Sequence, residues 1–310
     1  MGYTVKRVAS SLFTLLVVSF MVFFLIHLIP GDPARIILGV RATPESVREI
    51  RRSLGLDRSL ASQYRIFMED LFRGQLGTSI RYRQAVFGLI LGRLPATLFL
   101  IGFSALLSLA IAIPVGTIAA LRREKLVDHA IRLALLAAIA TPTFWIGTIF
   151  ILFFSLRLRF FPASGYGNGF AEHVRSLFLP ALTLALWQSA LLVRTLRSAM
   201  IDVLQLPYVD FARLKGLRPS TVLFRHVMRT SLGSTVTLVG VNLSFLLAAA
   251  VVVENVFSVP GTGSLLVQSV FTRDYPIVQG ITLIYAVLVI LINLATDLTY
   301  PLLDPRVRLQ

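Results

Sequence analysis

The chain has 310 residues, of which 56% are hydrophobic and only 15% are charged, and its mean hydropathy is +0.79. This composition excludes an ordinary soluble domain and predicts a membrane protein. The net charge of +15 fits basic loops facing anionic lipid headgroups better than nucleic-acid binding, because no DNA- or RNA-binding motif is present. Cysteine is absent and the four histidines lack metal-ligand spacing, so we predict no metal site and no cysteine nucleophile.

Six apolar segments are long enough to cross a membrane, since a helix needs about 20 residues to span the hydrocarbon core. Their charged residues lie at the ends, where an ionised side chain avoids a cost of about 2.5–3.5 kcal/mol at the centre of the bilayer. The sequence therefore predicts an all-α polytopic membrane protein. Its six spans are at about 8–29, 95–121, 132–156, 176–199, 230–254 and 275–300.

The first apolar segment has two interpretations. Lys6 and Arg7 precede it, as basic residues precede the apolar part of a signal peptide. However, the apolar run is longer than is typical of signal peptides, and no small-residue cleavage site follows before Pro30. We interpret the segment as an uncleaved span.

The distribution of lysine and arginine favours cytoplasmic termini. With the N-terminus inside, fifteen basic residues lie in the cytoplasm and fifteen outside, but eleven of the external ones fall in the segment 30–94. Long segments cross the membrane largely regardless of charge. The shorter loops decide, and they carry fifteen basic residues inside against four outside. Both termini are therefore predicted to be cytoplasmic.

The external segment 30–94 is predicted to contain two amphipathic helices. Thr43 and Pro44 are typical of a helix start, and Gly55 of its end. A second helix is predicted from near Ser59 to Gly74, with an apolar stripe between arginines. Such helices either lie on the membrane surface or pack on the outer ends of the spans. We favour packing, with the basic side towards lipid.

Small residues recur at every fourth position of the second predicted span. This spacing puts them on one helix face, where they permit another helix to approach closely. The stripe predicts tight packing of the second span and consists of Ser104, Ser108, Ala112 and Gly116.

The cytoplasmic loop 200–229 contains the signature of a short capped helix. Pro207 suits the first helical turn, and Asp210 lies early in the helix, where the macrodipole favours an acid. Lys215 falls near the end, where a cation is favoured, and Gly216 suits the left-handed residue that ends many helices. Pro219 then begins another helix.

This short helix carries apolar side chains for which the sequence offers no obvious partner in the chain. We expect Val209, Phe211 and Leu214 to be exposed. A small rigid helix with an exposed apolar face is a docking element for another protein, although an ordinary amphipathic loop helix has the same pattern.

The loop resembles the Glu-Ala-Ala loop of ATP-binding cassette importer permeases, in which Glu-Ala-Ala is followed by three residues and Gly. Asp210 stands for the Glu, Phe211 and Ala212 for the two Ala residues, and Gly216 for the Gly. Two of the four positions differ, so the loop alone is a degenerate match.

The rest of the chain resembles the dipeptide, oligopeptide and nickel permease family much more closely, and specifically the first of its two paralogous permeases. The matching stretches run from end to end in family order. They include Ile29-Pro30-Gly31-Asp32-Pro33, Gly74-Gln75-Leu76-Gly77-Thr78-Ser79, Leu94-Pro95-Ala96-Thr97, Pro142-Thr143-Phe144-Trp145-Ile146-Gly147, Phe161-Pro162-Ala163-Ser164-Gly165, Leu179-Pro180-Ala181-Leu182-Thr183, Val256-Phe257-Ser258-Val259-Pro260-Gly261-Thr262-Gly263, Arg273-Asp274-Tyr275-Pro276 and Leu303-Asp304-Pro305-Arg306.

The resemblance implies a type I ABC importer permease in a bacterial inner membrane, working by alternating access. It implies four protein partners: a paralogous permease, two ABC ATPase subunits and an extracytoplasmic substrate-binding protein. ATP would be bound by the partner ATPases and no cofactor by this chain, which contains no Gly-Lys dipeptide and hence no phosphate-binding loop of the G-x-x-x-x-G-K-[ST] type. The implied substrate is a di- or oligopeptide, with nickel or another small solute as the alternative.

The resemblance also assigns the coupling to the ATPase to residues of the loop. These residues are Tyr208, Val209, Asp210, Phe211, Ala212, Lys215 and Gly216. The chain departs from the family where Gln205-Leu206-Pro207 replaces a polar run before the tyrosine, so a polar contact with the ATPase could be lost.

Few polar residues lie within the predicted spans, and most are expected to form interhelical hydrogen bonds. Those that we consider are His27, Gln188, Asn242, Glu254, Asn255, Asn293 and Asp297. Asn242, Glu254 and Asn255 are the candidates for a gate or translocation pathway.

Two other classes of function remain open from the sequence. A lipid-modifying membrane enzyme would need acids or histidines clustered at one membrane depth, and no such cluster or catalytic motif is found. A self-contained channel would work without ATPase partners, so co-purification separates it from a permease.

Overall fold

The computed structural model describes residues 2–28, 43–53 and 57–303. Eleven helices make up most of these ranges, together with one isolated β-bridge between Thr78 and Ala85. The helices are α1 (Gly2–Leu28), α2 (Pro44–Ser53), α3 (Leu60–Phe72), α4 (Val86–Leu121), α5 (Leu126–Ala140), α6 (Thr143–Arg157), α7 (Phe170–Leu204), α8 (Pro207–Leu214), α9 (Pro219–Val256), α10 (Thr262–Phe271) and α11 (Tyr275–Leu303). The all-α prediction is confirmed.

Four helices of the described chain are long and apolar enough to cross a membrane, namely α4, α7, α9 and α11, and the pair α5–α6 supplies a fifth if it forms one span. Helix α1 covers most of the first predicted span, but its described apolar stretch, Ala9–Phe24, is shorter than 18 residues. The count of six spans and the cytoplasmic termini therefore stay predictions.

The third predicted span, 132–156, is not one continuous helix. Helices α5 and α6 meet at a bend of 101°. Thr141 is extended, with φ −87° and ψ 127°, because the ring of Pro142 disfavours helical geometry in the residue before it. Pro142 has no N–H to continue the helix, so this proline was the sequence signal for the break.

The other helices extend beyond the apolar runs from which they were predicted. Helix α4 begins at Val86 rather than 95, and α7 runs from Phe170 to Leu204, into the loop predicted from residue 200. Hydropathy marks only the part of a helix that lies in hydrocarbon. The short helix α10 follows Gly261 and was not predicted.

By its contacts the chain divides into two compact units, one formed by residues 1–95 and 264–290 and the other by 96–263 and 291–310. In the first unit α3 packs against α1 through aromatic side chains. The ring of Tyr64 lies 5.3 Å from that of Phe23 and 5.6 Å from that of Phe20, and Phe67 lies 5.7 Å from Phe23. The hydroxyl groups of Tyr64 and Ser19 are 2.9 Å apart. Helix α3 therefore packs on the helix that covers most of the first predicted span, as its apolar stripe predicts.

The boundaries of α2 and α3 follow their predicted caps. Helix α2 begins at Pro44, and the side chain of Ser59 caps α3 by accepting a hydrogen bond from the Ser62 amide. Gly74 follows α3 with φ +72°, a conformation that favours glycine. Gly55, the predicted end of the first helix, lies outside the described residues.

A buried carboxylate also organises the first unit. Asp274 is 1% exposed and precedes α11. It accepts hydrogen bonds from the Ser79 hydroxyl at 2.5 Å and from the amides of Ile80 and Arg81 at 3.2 and 3.0 Å. It thus fixes the turn before α4 against the start of α11.

The second unit is built around α7. In its most apolar window 67% of the residues are buried, against 22–33% for the other spans. The small-residue stripe of α4 is buried as predicted. A Cβ added at Gly116 would lie 3.1 Å from Leu196 Cδ2, so glycine permits α4 and α7 to approach closely here.

Replacement of Asp274 by alanine is expected to destabilise the first unit. It removes the acceptor of three hydrogen bonds, and each buried donor left without a partner costs about 1–3 kcal/mol. Thermal unfolding of the purified protein checks this result.

The matched control is Asp57→Ala, which removes an exposed carboxylate from the same unit. Equal melting temperatures for the two variants would contradict the role given to Asp274.

Candidate functional site

Helix α8 is short and closed at both ends by residues of the predicted types. Pro207 occupies its first turn. At the other end the amide of Gly216 donates to the Arg213 carbonyl at 2.9 Å and that of Leu217 to the Ala212 carbonyl at 3.3 Å. This pair of bonds is a Schellman motif, and Gly216 has the required left-handed φ of +74°. The capped helix is confirmed.

The inner face of α8 is anchored in the second unit. Val209 is 0% and Ala212 is 7% exposed. They pack in an apolar cluster, which we call the α8 anchor, formed with Ala120, Leu196, Met200, Val203, Val222 and Val227. The cluster joins α8 to the end of α7 and the beginning of α9.

The prediction that Val209 is exposed is wrong. Val209 and Ala212 are three positions apart and so lie on one helix face. The last turns of α7 and the first turns of α9 cover that face. This covering depends on tertiary packing that the local pattern of the loop does not contain.

The outer face of α8 is apolar and exposed, as predicted for its other two residues. Phe211 is 65% and Leu214 is 83% exposed, and they are also three positions apart. Tyr208 is 40% exposed. Asp210 and Arg213 form an exposed ion pair with 3.5 Å between Oδ1 and Nη1. The helix therefore has one face fixed to its own chain and another open to a partner.

The seven predicted coupling residues divide between these faces. Tyr208, Asp210, Phe211, Lys215 and Gly216 are exposed, whereas Val209 and Ala212 belong to the anchor. An open groove of about 480 Å³ adjoins the end of the helix. Its lining residues are Leu121, Leu204, Arg213, Leu217, Pro219, Ser220, Val222, Leu223, Phe224 and Val227.

A buried ion pair that was not predicted from the sequence joins α5 to α7 behind α8. Asp128 of α5 is 0% exposed and accepts two bonds from Arg197 of α7, from Nε at 2.7 Å and from Nη2 at 2.6 Å. The Glu124 amide donates to the same carboxylate at 3.0 Å. Two short charge-assisted bonds in parallel give the pair both strength and a fixed geometry.

This ion pair fixes the end of α7 that carries the anchor. Arg197 is next to Leu196 in the sequence, and Leu196 belongs to the α8 anchor. The start of α5 and the end of α7 are therefore held together beside α8. The signal in the sequence was an acid in a first helical turn beside an apolar run, but 69 residues separate it from its partner.

Glu254, a predicted gate residue, lies in a closed polar cluster. It is 0% exposed, and Thr97 donates to its Oε1 at 2.6 Å. The Thr262 amide donates to the Thr97 hydroxyl oxygen at 2.9 Å. A Cβ at Gly261 would overlap the Glu254 carboxylate, so a larger residue there would displace that side chain. The cluster joins the end of α9 to Thr97 of α4 and to the start of α10.

The three predicted pathway residues do not converge. Asn242 and Glu254 are twelve positions apart on α9, which is about 18 Å along a helix. Asn242 is 5% exposed, whereas Asn255 is exposed and donates to the Val251 carbonyl at 2.7 Å. Their role in a pathway stays a prediction.

Of the other polar residues in the spans, Asn293 accepts an interhelical hydrogen bond from Ser244 at 3.3 Å. Gln188 is 0% exposed, and neither atom of its amide has a hydrogen-bond partner among the described residues. The expected interhelical bond is therefore present for Asn293 and absent for Gln188. Of His27 and Asp297 the structure does not describe the side chains.

Two family descriptions together match nearly the whole chain. "Binding-protein-dependent transport system inner membrane component" matches residues 112–309, and the description of the N-terminal part of such membrane components matches residues 1–101.

Named relatives match the chain over its full length. A provisionally named peptide transport system permease protein of Brucella abortus (strain 2308) is 40% identical over 310 residues, with 98% of each chain covered. The di/tripeptide transport system permease protein DppB of Pseudomonas aeruginosa (strain UCBPP-PA14) is 37% identical over 334 residues, with 100% of this chain and 99% of DppB covered.

Two solved ABC transporters share the fold. The MetNI methionine ABC transporter, in an inward-facing conformation, gives a TM-score of 0.59 at 15% identity, over 70% of this chain and 96% of the matched chain. An amino acid ABC transporter with histidines gives 0.52 at 14% identity, over 69% and 93%.

Replacement of Asp128 by alanine is expected to lower the free energy of unfolding by about 3–5 kcal/mol, because Arg197 is left with an uncompensated, largely buried charge. Chemical or thermal unfolding in detergent measures the loss.

Two further variants sharpen this experiment. Asp202→Ala removes an exposed carboxylate from α7 and is expected to be neutral. The double replacement Asp128→Ala with Arg197→Met should cost less than Asp128→Ala alone. A loss in the double variant that equals or exceeds the loss in Asp128→Ala alone would contradict the direct pairing.

Proposed function

The chain belongs to the family of binding-protein-dependent transport system inner membrane components, and from this membership we propose that it is one of two paralogous permeases that conduct peptides through an ATP-driven importer. The family makes the chain a multi-pass membrane transport subunit. The proposal adds its peptide substrate, its partners and the way in which it is coupled to ATP hydrolysis.

The names of the full-length relatives support a peptide substrate. Both are named for peptide transport, one of them for di- and tripeptides. Identities of 40% and 37% over whole chains make a shared substrate class a reasonable premise. We propose a bacterial inner membrane as the location, with an external binding protein that delivers the peptide.

The coupling proposal rests on helix α8, which has one face buried in its own chain and another face that is apolar and exposed. Its exposed residues Phe211 and Leu214 present apolar surface with no cover from the described chain. Full burial of one such side chain stabilises an interface by about 1.5–3 kcal/mol. We propose that a surface groove of a separate ABC ATPase covers this face. In this proposal the ATPase binds ATP and this chain does not.

The other face of α8 explains how movement reaches the spans. When the two ATPases close on ATP, α8 moves with the surface on which it is docked. Val209 and Ala212 fill the α8 anchor, so the helix cannot slide independently of the ends of α7 and α9. Packed interiors transmit displacement because they have few voids. The ion pair of Asp128 and Arg197 carries the same movement to α5.

Movement at the cytoplasmic end then opens one side of the membrane while the other closes, as alternating access requires. The pathway lies between this chain and its paralogous permease. In this mechanism α8 contributes no chemistry; it converts a change in the ATPase interface into a rotation of the spans.

Replacement of Phe211 or Leu214 by aspartate is expected to detach the ATPases, because a charge is placed at the centre of an apolar interface. ATPase co-purification should fall at least tenfold. ATP-dependent uptake of a labelled dipeptide into proteoliposomes should fall with it.

The control is Phe72→Asp, which changes a phenylalanine that is 84% exposed at the end of α3, in the predicted external segment. It should leave co-purification unchanged. Full uptake and full co-purification in the Leu214 variant would refute the coupling proposal. Uptake of nickel rather than peptide by the wild-type importer would refute the substrate and leave the coupling intact.

A further inference from the structure

A second open pocket of about 400 Å³ lies between α5 and α7. It is lined by Arg132, Leu135, Leu136 and Ile139 of α5 and by Ala190, Arg194 and Arg197 of α7. Three of its seven lining residues are therefore arginines, and the other four are apolar. The transport mechanism above makes no use of the pocket.

The pocket has a basic end and an apolar end. Arg197 of α7 binds Asp128 at the start of α5, and Leu135, further along α5, packs on the cluster that contains Leu192 and Val193, which lie earlier in α7; the two helices therefore run in opposite directions. Arg132 and Arg194 accordingly lie towards one end of the pocket, and Ile139 and Ala190 towards the other. Seven positions separate Arg132 from Ile139, which is about 10 Å along a helix.

The basic end of the pocket lies at the boundary of two uncharged runs of the sequence. Arg132 directly precedes the uncharged run that begins at Leu133, and Arg194 directly follows the run that ends at Val193. Both arginines thus lie where hydrocarbon gives way to the headgroup region. Leu136 is 63% and Ile139 is 39% exposed, so the apolar end is open to the side.

The charge of the pocket is only partly neutralised within the chain. Asp128 is bound to Arg197 at 2.6 Å and lies 3.8 Å from Arg132, so one carboxylate faces two guanidinium groups. Arg132 also contacts Nδ1 of His129 at 2.7 Å. Arg194 is exposed and has no hydrogen bond or ion pair among the described residues.

We propose that this pocket binds an anionic phospholipid, with its phosphate at Arg132 and Arg194 and the first part of an acyl chain along Leu136 and Ile139. Basic pockets between spans at the membrane boundary suit anionic headgroups, and guanidinium groups bind phosphate oxygens in pairs. A soluble anion would gain nothing from the apolar end, and this end distinguishes a lipid from free phosphate. Under the proposed function this boundary belongs to the cytoplasmic leaflet.

The lipid would hold α5 and α7 together beside the anchor. Its phosphate lies between arginines of both helices, next to the Asp128–Arg197 pair that joins them. Importer activity is therefore expected to respond to the anionic fraction of the membrane.

The experiment is native mass spectrometry of the assembled importer, with dioleoyl phosphatidylglycerol or dioleoyl phosphatidylcholine added. The wild type should retain phosphatidylglycerol in preference to phosphatidylcholine. Each arginine near an anionic headgroup contributes about 1 kcal/mol, so its loss lowers the affinity about fivefold. Arg194→Gln should weaken phosphatidylglycerol binding about fivefold, and Arg132→Gln with Arg194→Gln about 25-fold.

Two controls separate charge from misfolding. Arg194→Lys keeps the charge and should retain most of the binding. Arg122→Gln removes an exposed arginine outside the pocket and should have no effect. The same measurement on the purified chain without its ATPases gives the lipid retention separately, so the result does not depend on whether ATPases co-purify.

Four outcomes would overturn the proposal. Equal binding of the two lipids, or unchanged binding in the double variant, would show that the arginines do not select an anionic lipid. Displacement of the lipid by inorganic phosphate at equal concentration would assign the pocket to a soluble anion. Loss of another subunit from the double variant with unchanged lipid binding would assign it to a protein contact.

Discussion

The burial of Val209 and Ala212 in the α8 anchor is the contact on which the account of this permease depends. Without it α8 would be a loop helix whose displacement is lost before it reaches the spans. With it, the exposed residues Phe211 and Leu214 are fixed in position relative to α7 and α9. The Schellman motif at Gly216 adds rigidity, because it satisfies carbonyls at the helix end. A stiff helix with two different faces can transmit a force in either direction.

Charge supports this arrangement where the start of α5 meets the end of α7. Asp128 is fully buried, and its desolvation is offset by two short bonds from Arg197 and one from a backbone amide. Such a pair contributes little net free energy compared with apolar residues, but it tolerates few other geometries. It therefore fixes how α5 meets α7, and the neighbouring arginines that it leaves partly free create the proposed lipid pocket.

Local signals predicted the parts of this structure that depend on local physics. The prolines, Gly216 and the spacing of apolar residues marked both ends of α8 and the exposure of Phe211 and Leu214. No local pattern contains the remaining features, because they depend on residues 69 or more positions apart or on packing between helices. These features are the burial of Val209, the Asp128–Arg197 pair and the Thr97–Glu254 contact. The bend before Pro142 is different, because the proline itself was a local signal for a break. The continuous hydropathy of the segment 132–156 led to the prediction of a single span instead.

The most direct test attaches a photo-crosslinker to one position of α8 at a time in the assembled importer. The natural chain has no cysteine, so a cysteine introduced for attachment of the crosslinker is unique within it. If one face of α8 packs on its own chain and the other docks on the ATPase, position 214 crosslinks to the ATPase and position 209 crosslinks within its own chain. Crosslinking to the ATPase from position 209, or none from position 214, would contradict the account.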